Sequence, residues 1–186
     1  MSEKMKKKNL SILNKFLKQY PKTEEMEILI ADIHGVLRGK RIRSDEFKSI
    51  FRDGFTMPGG TVLLDILGDA VPGISWSGED GDPDTDAEVI ASSLAPVPWS
   101  KKPRAQTLFT FRDRKNKPFF AEPRNVLENI VKKVKNTAPK IVMAVELEFY
   151  LLDGNTDRPT PKISLIPGVG RPQPGPQVYH LSLIHI

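Results

Sequence analysis

Apolar residues recur along this chain with two periods, and the predicted element changes wherever the period changes. Leu10, Leu13, Phe16, Leu17 and Tyr20 fall three or four residues apart and are followed by Pro21. That spacing places them on one face of a helix that the proline closes, so residues 9–20 read as an amphipathic helix. Residues 26–33 and 36–43 read as strands on either side of a His34-Gly35 turn, a hairpin whose second strand is basic. Ser44 then offers an N-cap with Asp45 and Glu46 in the first turn of a short helix that reaches Arg52. Residues 53–60 are rich in turn formers, and residues 61–66 make a short apolar strand. Further on, residues 105–111 form a strand. Residues 123–136 form a helix with Pro123 in its first turn and Val126, Leu127, Ile130, Val131 and Val134 on one face. Residues 141–152 form a last strand, and from Asp153 onward proline and glycine give the pattern of a long loop.

These elements predict an α+β chain in two parts. Residues 9–115 make a small mixed domain. A second unit begins near Pro118, with one helix, one strand and a loop, too little to bury a core of its own. The expectation is that the chain is an incomplete version of a larger protein.

Charge changes this picture little. The net charge is +5, and Lys4, Lys6, Lys7 and Lys8, offset by Glu3, supply +3 of it in a terminus expected to fray. The remaining basic residues are mixed with acids and lack interleaved aromatics, so no nucleic-acid partner is expected. The absence of cysteine removes disulfides, thiolate catalysis and thiolate zinc sites, and fits a reducing compartment, with the cytoplasm as the expectation. No stretch approaches the roughly 20 apolar residues of a membrane span, and the polar start has no signal-peptide core, so no membrane is expected.

Candidate chemistry centres on Glu146-Leu147-Glu148-Phe149-Tyr150. In a strand, Glu146 and Glu148 would share one face while Met143, Val145, Leu147, Phe149 and Leu151 line the other as core. Two carboxylates crowded at the edge of a core repel each other unless a cation lies between or beside them, and Mg²⁺ or Mn²⁺ prefers such hard oxygen donors. An amphipathic edge strand with two solvated glutamates explains the same spacing equally well. The run from Glu79 to Glu88 carries six acids and no base, which favours an exposed loop, either plainly solvated or reaching a cationic substrate or a neighbouring subunit. Other motifs fail. Gly35 to Lys40 has three residues between its glycines where a phosphate loop needs four, and Arg41 follows where Ser or Thr is required. A calcium loop starting at Asp80 would need Gly and Glu where Thr85 and Ala91 stand. His34, His180 and His185 show no zinc spacing.

Several segments taken in order resemble the glutamine synthetase family. They are Asp32-Ile33-His34-Gly35-Val36-Leu37-Arg38-Gly39-Lys40, Gly81-Asp82-Pro83-Asp84, Leu94-Ala95-Pro96-Val97-Pro98-Trp99, Pro118 to Leu127, and Val145 to Leu151. The Gly81–Asp84 loop and the stretch from Arg171 to Tyr179 look most like the branch that includes gamma-glutamylputrescine synthetase. The resemblance implies a β-grasp amino-terminal domain over residues 9–115 and the truncated start of a catalytic domain over residues 118–179, with residues 180–186 a non-native tail. It implies an ATP-dependent ligase that joins the γ-carboxylate of glutamate to ammonia or an amine through γ-glutamyl phosphate, with Mg²⁺ or Mn²⁺ as cofactor. Carried across, Glu146 and Glu148 become ligands of two different metal ions. Asp82, with Asp84 almost as good a match, becomes the catalytic residue that binds and deprotonates the amine in a neighbouring subunit's site, within a ring-shaped homo-oligomer. The remaining metal, glutamate and nucleotide ligands would lie beyond residue 186, so the chain alone is expected to be inactive. The competing expectation, from a different class, is a free-standing β-grasp interaction module that binds a partner through its basic hairpin or acidic loop.

Overall fold

The computed structural model describes residues 1–76, 80–113, 115–135, 137, 140–149, 152–153 and 160–161. The chain divides into two units, Met1–Lys140 and Ile141–Ile186. The expected loop beyond Asp153, the Arg171 to Tyr179 stretch and the residue 180–186 tail fall almost entirely outside the described residues.

The first unit is an α+β arrangement of helix α1 (Glu3–Gln19), strands β1 (Glu25–Ala31) and β2 (Leu37–Arg43), helix α2 (Phe47–Asp53), strands β3 (Phe55–Pro58), β4 (Asp84–Pro96) and β5 (Arg104–Arg112), and helix α3 (Pro123–Val134). The five strands form one sheet in the order β2-β1-β5-β4-β3, with β1 and β5 parallel at its centre and the other pairs antiparallel. The sheet curls. Lys40 on one edge strand donates to the Thr56 carbonyl on the other at 3.3 Å and lies 6.0 Å from the centre of the Phe55 ring. Alternation on β1 sends Met26, Ile28 and Ile30 inward, where they meet Phe109 and Phe111 of β5, Leu13 and Phe16 of α1, and Phe47, Ile50 and Phe51 of α2. Each of these large side chains gains about 1.5–3 kcal/mol on leaving water, which makes this cluster the main support of the unit. Strand β4 shifts register between Ile90 and Ala95, and Ser93 repairs the ladder by donating to the Ile90 carbonyl at 2.7 Å while accepting the Leu108 N–H at 2.7 Å.

The hairpin, the first helix, the strand around residues 105–111 and the helix starting at Pro123 match their expected positions. Five local expectations need correction. The amino terminus is helical from Glu3 instead of frayed, because Ser2 caps the first turn by accepting the Met5 N–H. Glu46, and not Ser44, occupies the cap position of α2; the Ser44 N–H is engaged with the Glu24 carbonyl. Residues 61–66 form no strand, since a 3₁₀ turn over Gly59–Val62 redirects the chain. Half of the acidic run is strand, because Asp84, Asp86 and Glu88 alternate with inward Thr85, Ala87 and Val89, and period-two burial outweighs the repulsion of well-solvated carboxylates. The apolar face of α3 is exposed at Val126, Leu127, Ile130 and Val131, with Asn125 its buried residue.

In the second unit, residues 141–149 have no regular secondary structure, and Met143, Val145, Leu147 and Phe149, expected in a core, are exposed. A strand needs a neighbour to take its N–H and C=O groups. Among the described residues no strand pairs with this stretch, and the sheet of the second unit joins only β6 (Leu152–Asp153) to β7 (Thr160–Pro161).

Candidate functional site

The acidic loop before β4 is held in a tight and unusual backbone. Gly81 and Asp82 both adopt positive φ, +84° and +49°. Left-handed geometry is ordinary for glycine and costly for most other residues, though aspartate tolerates it better than most. The loop lies against Gly59 and Gly60. A Cβ on Gly60 would collide with the Trp76 carbonyl and sit 3.2 Å from Asp82 Oδ1, so the glycine is what allows the loop to approach. Asp80 accepts the Trp76 N–H at 2.9 Å, the Gly59 N–H donates to the Pro83 carbonyl at 3.2 Å, and the Trp76 indole meets Phe119 edge to face with ring centres 5.0 Å apart. Asp82 itself is exposed. The result is a solvent-facing carboxylate on a loop fixed from both sides, suited to receiving a cation.

Glu146 and Glu148 are exposed carboxylates in the second unit, while Asp82 lies in the first. Among the described residues no three His, Cys, Asp or Glu side chains gather as a set able to hold a metal ion.

The hairpin turn is organised by Asp32. Its buried carboxylate accepts the His34 and Val36 N–H groups, each at 2.9 Å, and Arg38 Nε at 2.9 Å. Burial alone would raise this carboxyl, but Arg38 and the two N–H groups outweigh it and hold it below the usual carboxylate range. The segment Asp32 to Arg38 is thus a structural turn, tied outward by the Ile33 N–H to the Val62 carbonyl at 3.2 Å, and Arg38 is committed to it.

A buried polar cluster that sequence reasoning missed sits where α3 meets the sheet. Glu122 is 1% exposed, and its Oε2 accepts from Thr110 Oγ1 at 2.8 Å, the Phe111 N–H at 2.7 Å and Asn125 Nδ2 at 2.9 Å. Asn125 also donates to the Phe119 carbonyl at 3.1 Å. Glu122 Oε1 is buried with no hydrogen-bond partner among the described residues. Burial, the dominant influence, pushes this carboxyl above its usual range against the pull of Phe111 N–H, Thr110, Arg124 and Arg112. Its one local sign in the sequence is an acid just before a helix-opening proline, which does not by itself mark burial.

The direction of that shift sets a pH dependence. A carboxyl raised in the folded state favours the protonated form, so its contribution is fully present below the unfolded carboxylate pKa and is lost as pH rises through the folded value. Glu122→Gln should therefore flatten the dependence of the urea midpoint on pH across that window. Glu122→Ala, which takes a shared acceptor from Thr110, Asn125 and the Phe111 N–H, should cost about 3 kcal/mol at low pH. A wild-type protein whose stability rose with pH while the Gln variant followed the same slope would contradict the assignment.

No family model matches the chain. It is 35% identical over 145 residues to gamma-glutamylputrescine synthetase PuuA of Escherichia coli strain K12, covering 78% of this chain and 30% of that protein. It is 30% identical over 155 residues to a glutamate–isopropylamine ligase of a Pseudomonas species, covering 82% of this chain and 33% of that protein. It is 28% identical over 153 residues to the glutamine synthetase of Pyrococcus furiosus, covering 79% and 30% of the two. The chain therefore spans about a third of the length of the curated relatives it matches. Two solved structures share its fold. A GmaS–ADP complex matches with a TM-score of 0.51 at 21% identity over 67% of this chain and 26% of that one. The Plasmodium falciparum glutamine synthetase solved by electron cryomicroscopy matches with a TM-score of 0.51 at 15% identity over 69% and 23%. With relatives and fold drawn from one group over most of its length, this chain belongs to the glutamine synthetase family.

Proposed function

We propose that this chain supplies the β-grasp amino-terminal domain, residues 9–115, and the start of the catalytic domain, residues 118–179, of an ATP-dependent ligase. The ligase joins the γ-carboxylate of glutamate to ammonia or a small amine. The observation that carries this reading is the 35% identity over 145 residues to gamma-glutamylputrescine synthetase, a match that reaches only 30% of that protein's length.

Within that reading the residues divide the work by position. Asp82, exposed on a loop braced by Trp76, Gly59 and Gly60, reaches into the site of an adjacent subunit of a ring-shaped homo-oligomer, where it binds the protonated amine and then takes its proton. Glu146 and Glu148 offer hard oxygen donors that fit Mg²⁺ or Mn²⁺ in chemistry, and both are accessible. Two donors are fewer than the six that octahedral coordination requires, so further ligands come from the rest of the ligase. When bound, such an ion neutralises phosphate charge during transfer from ATP to the glutamate carboxylate. A cytoplasmic setting suits this chemistry, and among the described residues no helix is long and apolar enough to cross a membrane.

The isolated 186-residue chain should accordingly release no phosphate above background from ATP in the presence of glutamate and an amine, and should bind Mn²⁺ only weakly. Phosphate release and Mn²⁺ titration by paramagnetic resonance measure the two. Catalytic turnover by this chain alone would refute the division of the site between this segment and the remainder of a ligase.

A further inference from the structure

A groove of about 510 Å³ opens between the end of α1 and the loop that joins β4 to β5. Its apolar wall is built from Tyr20, Pro21, Pro96, Val97 and Pro103. Every charged side chain along it is basic, namely Lys22, Lys101, Lys102 and Arg104, and no acid lines it.

These cations are unequally committed. Arg104 is held by Glu25 Oε2 at 3.0 Å and Glu27 Oε1 at 3.1 Å, across the β1–β5 pair. Lys102 reaches Glu25 only at 3.9 Å. Lys22 and Lys101 are exposed and make no ion pair or side-chain hydrogen bond among the described residues. Concentrating like charge around a concave apolar surface is unfavourable without a counter-charge, and the field it focuses draws anionic groups in. The prolines cannot donate backbone hydrogen bonds and present flat apolar faces, so a ligand must supply both negative charge and a side chain to cover them. Trp99, 75% exposed, stands on the same loop.

We propose that this groove docks an acidic peptide segment of a partner protein, one that carries an aromatic or large aliphatic side chain between carboxylates. The apolar side chain packs on Pro21, Val97 and Pro103 while the flanking carboxylates meet Lys22 and Lys101. The inference is independent of the ligase reading, because none of these residues belongs to the proposed catalytic set.

The test uses the 186-residue chain and a fluorescein-labelled hexapeptide of alternating glutamate and phenylalanine, with binding followed by anisotropy at low and at 0.3 M salt. Saturable binding that weakens with salt is expected. The doubly substituted Lys22→Glu, Lys101→Glu chain should bind at least about tenfold more weakly. Both lysines are exposed, so the substitutions leave the core intact, and circular dichroism checks this. A hexapeptide alternating glutamate with serine, and inorganic tripolyphosphate as competitor, separate this site from a general attraction for anions. Equal binding of the serine peptide, or displacement by tripolyphosphate at the same concentration as by the phenylalanine peptide, would overturn the proposal. So would unchanged affinity in the charge-reversed chain, or no binding at all.

Discussion

Glu146→Ala and Glu148→Ala, each made in the whole ligase, should lower turnover by on the order of 100–1,000-fold or more while leaving the fold of the first unit unchanged. In the proposed role, each substitution removes a hard oxygen donor from a site where phosphate charge develops during transfer, and electrostatic partners of that kind are worth this much in other enzymes. The structural cost should be small, since both side chains are exposed and neither supports the described core. That separation makes the experiment informative. Glu→Gln at either position keeps size and polarity but weakens cation binding, so it should behave like the alanine variant in turnover and like the wild type in thermal unfolding. Near wild-type turnover at saturating Mg²⁺ for either variant would return these residues to the role of solvated glutamates.

Asp82→Asn should raise the KM for the amine and lower kcat, together about 100-fold in kcat/KM, with the KM for ATP little changed. The substitution preserves shape, and asparagine accepts left-handed backbone geometry as readily as aspartate, so the loop should keep its conformation. In the proposed role, what is lost is the charge that attracts a protonated amine and the base that then deprotonates it. If the loop acts across a subunit interface, mixing Asp82→Asn subunits with Glu146→Ala subunits should restore part of the activity, because some interfaces then pair an intact loop with intact glutamates. No recovery in oligomers proved to be mixed would place Asp82 at its own subunit's site or leave it merely solvating the loop. The same mixture made with Asp84→Asn subunits discriminates between the two neighbouring aspartates. Asp84 opens β4 and pairs with Pro58 across the edge of the sheet, a position that favours structure over reach.

How much of this was legible from residue order depends on whether a pattern carried its own explanation. The β1–β2 hairpin was readable because alternation and the His34-Gly35 turn agree, and Asp32 reinforces both by capping the turn. The start of β4 was hidden by charge. The density of acids between residues 79 and 88 argued for a loop, whereas the small inward residues Thr85 and Ala87 between them were the better guide. The strand expected over residues 61–66 failed because Gly59 and Gly60 pass so close to Trp76 and Thr85 that the backbone turns there, a long-range contact no local window contains. The apolar stripe of α3 was read correctly as a stripe, whereas residues 141–149, read as a strand with a core face, form no strand; burial is a property of two surfaces, and the described residues provide no second one. The candidate site divides in the same way. Asp82 and the glutamate pair stood out as exposed or crowded carboxylates, and the resemblance lent them roles. Glu122 and Asn125 did not, because nothing in an acid followed by proline announces that β5 will fold over it.

The proposed role is that of a segment of a ligase that forms a γ-glutamyl amide at the expense of ATP. Mass spectrometry of the products made by the whole protein, incubated with glutamate, ATP, Mg²⁺ and in turn ammonia, putrescine and ethylamine, tests it most directly. A γ-glutamyl product is expected with at least one of these nitrogen donors, formed in equal amount with ADP and phosphate. ATP hydrolysis with no γ-glutamyl product, or no consumption of ATP with any donor, would contradict it.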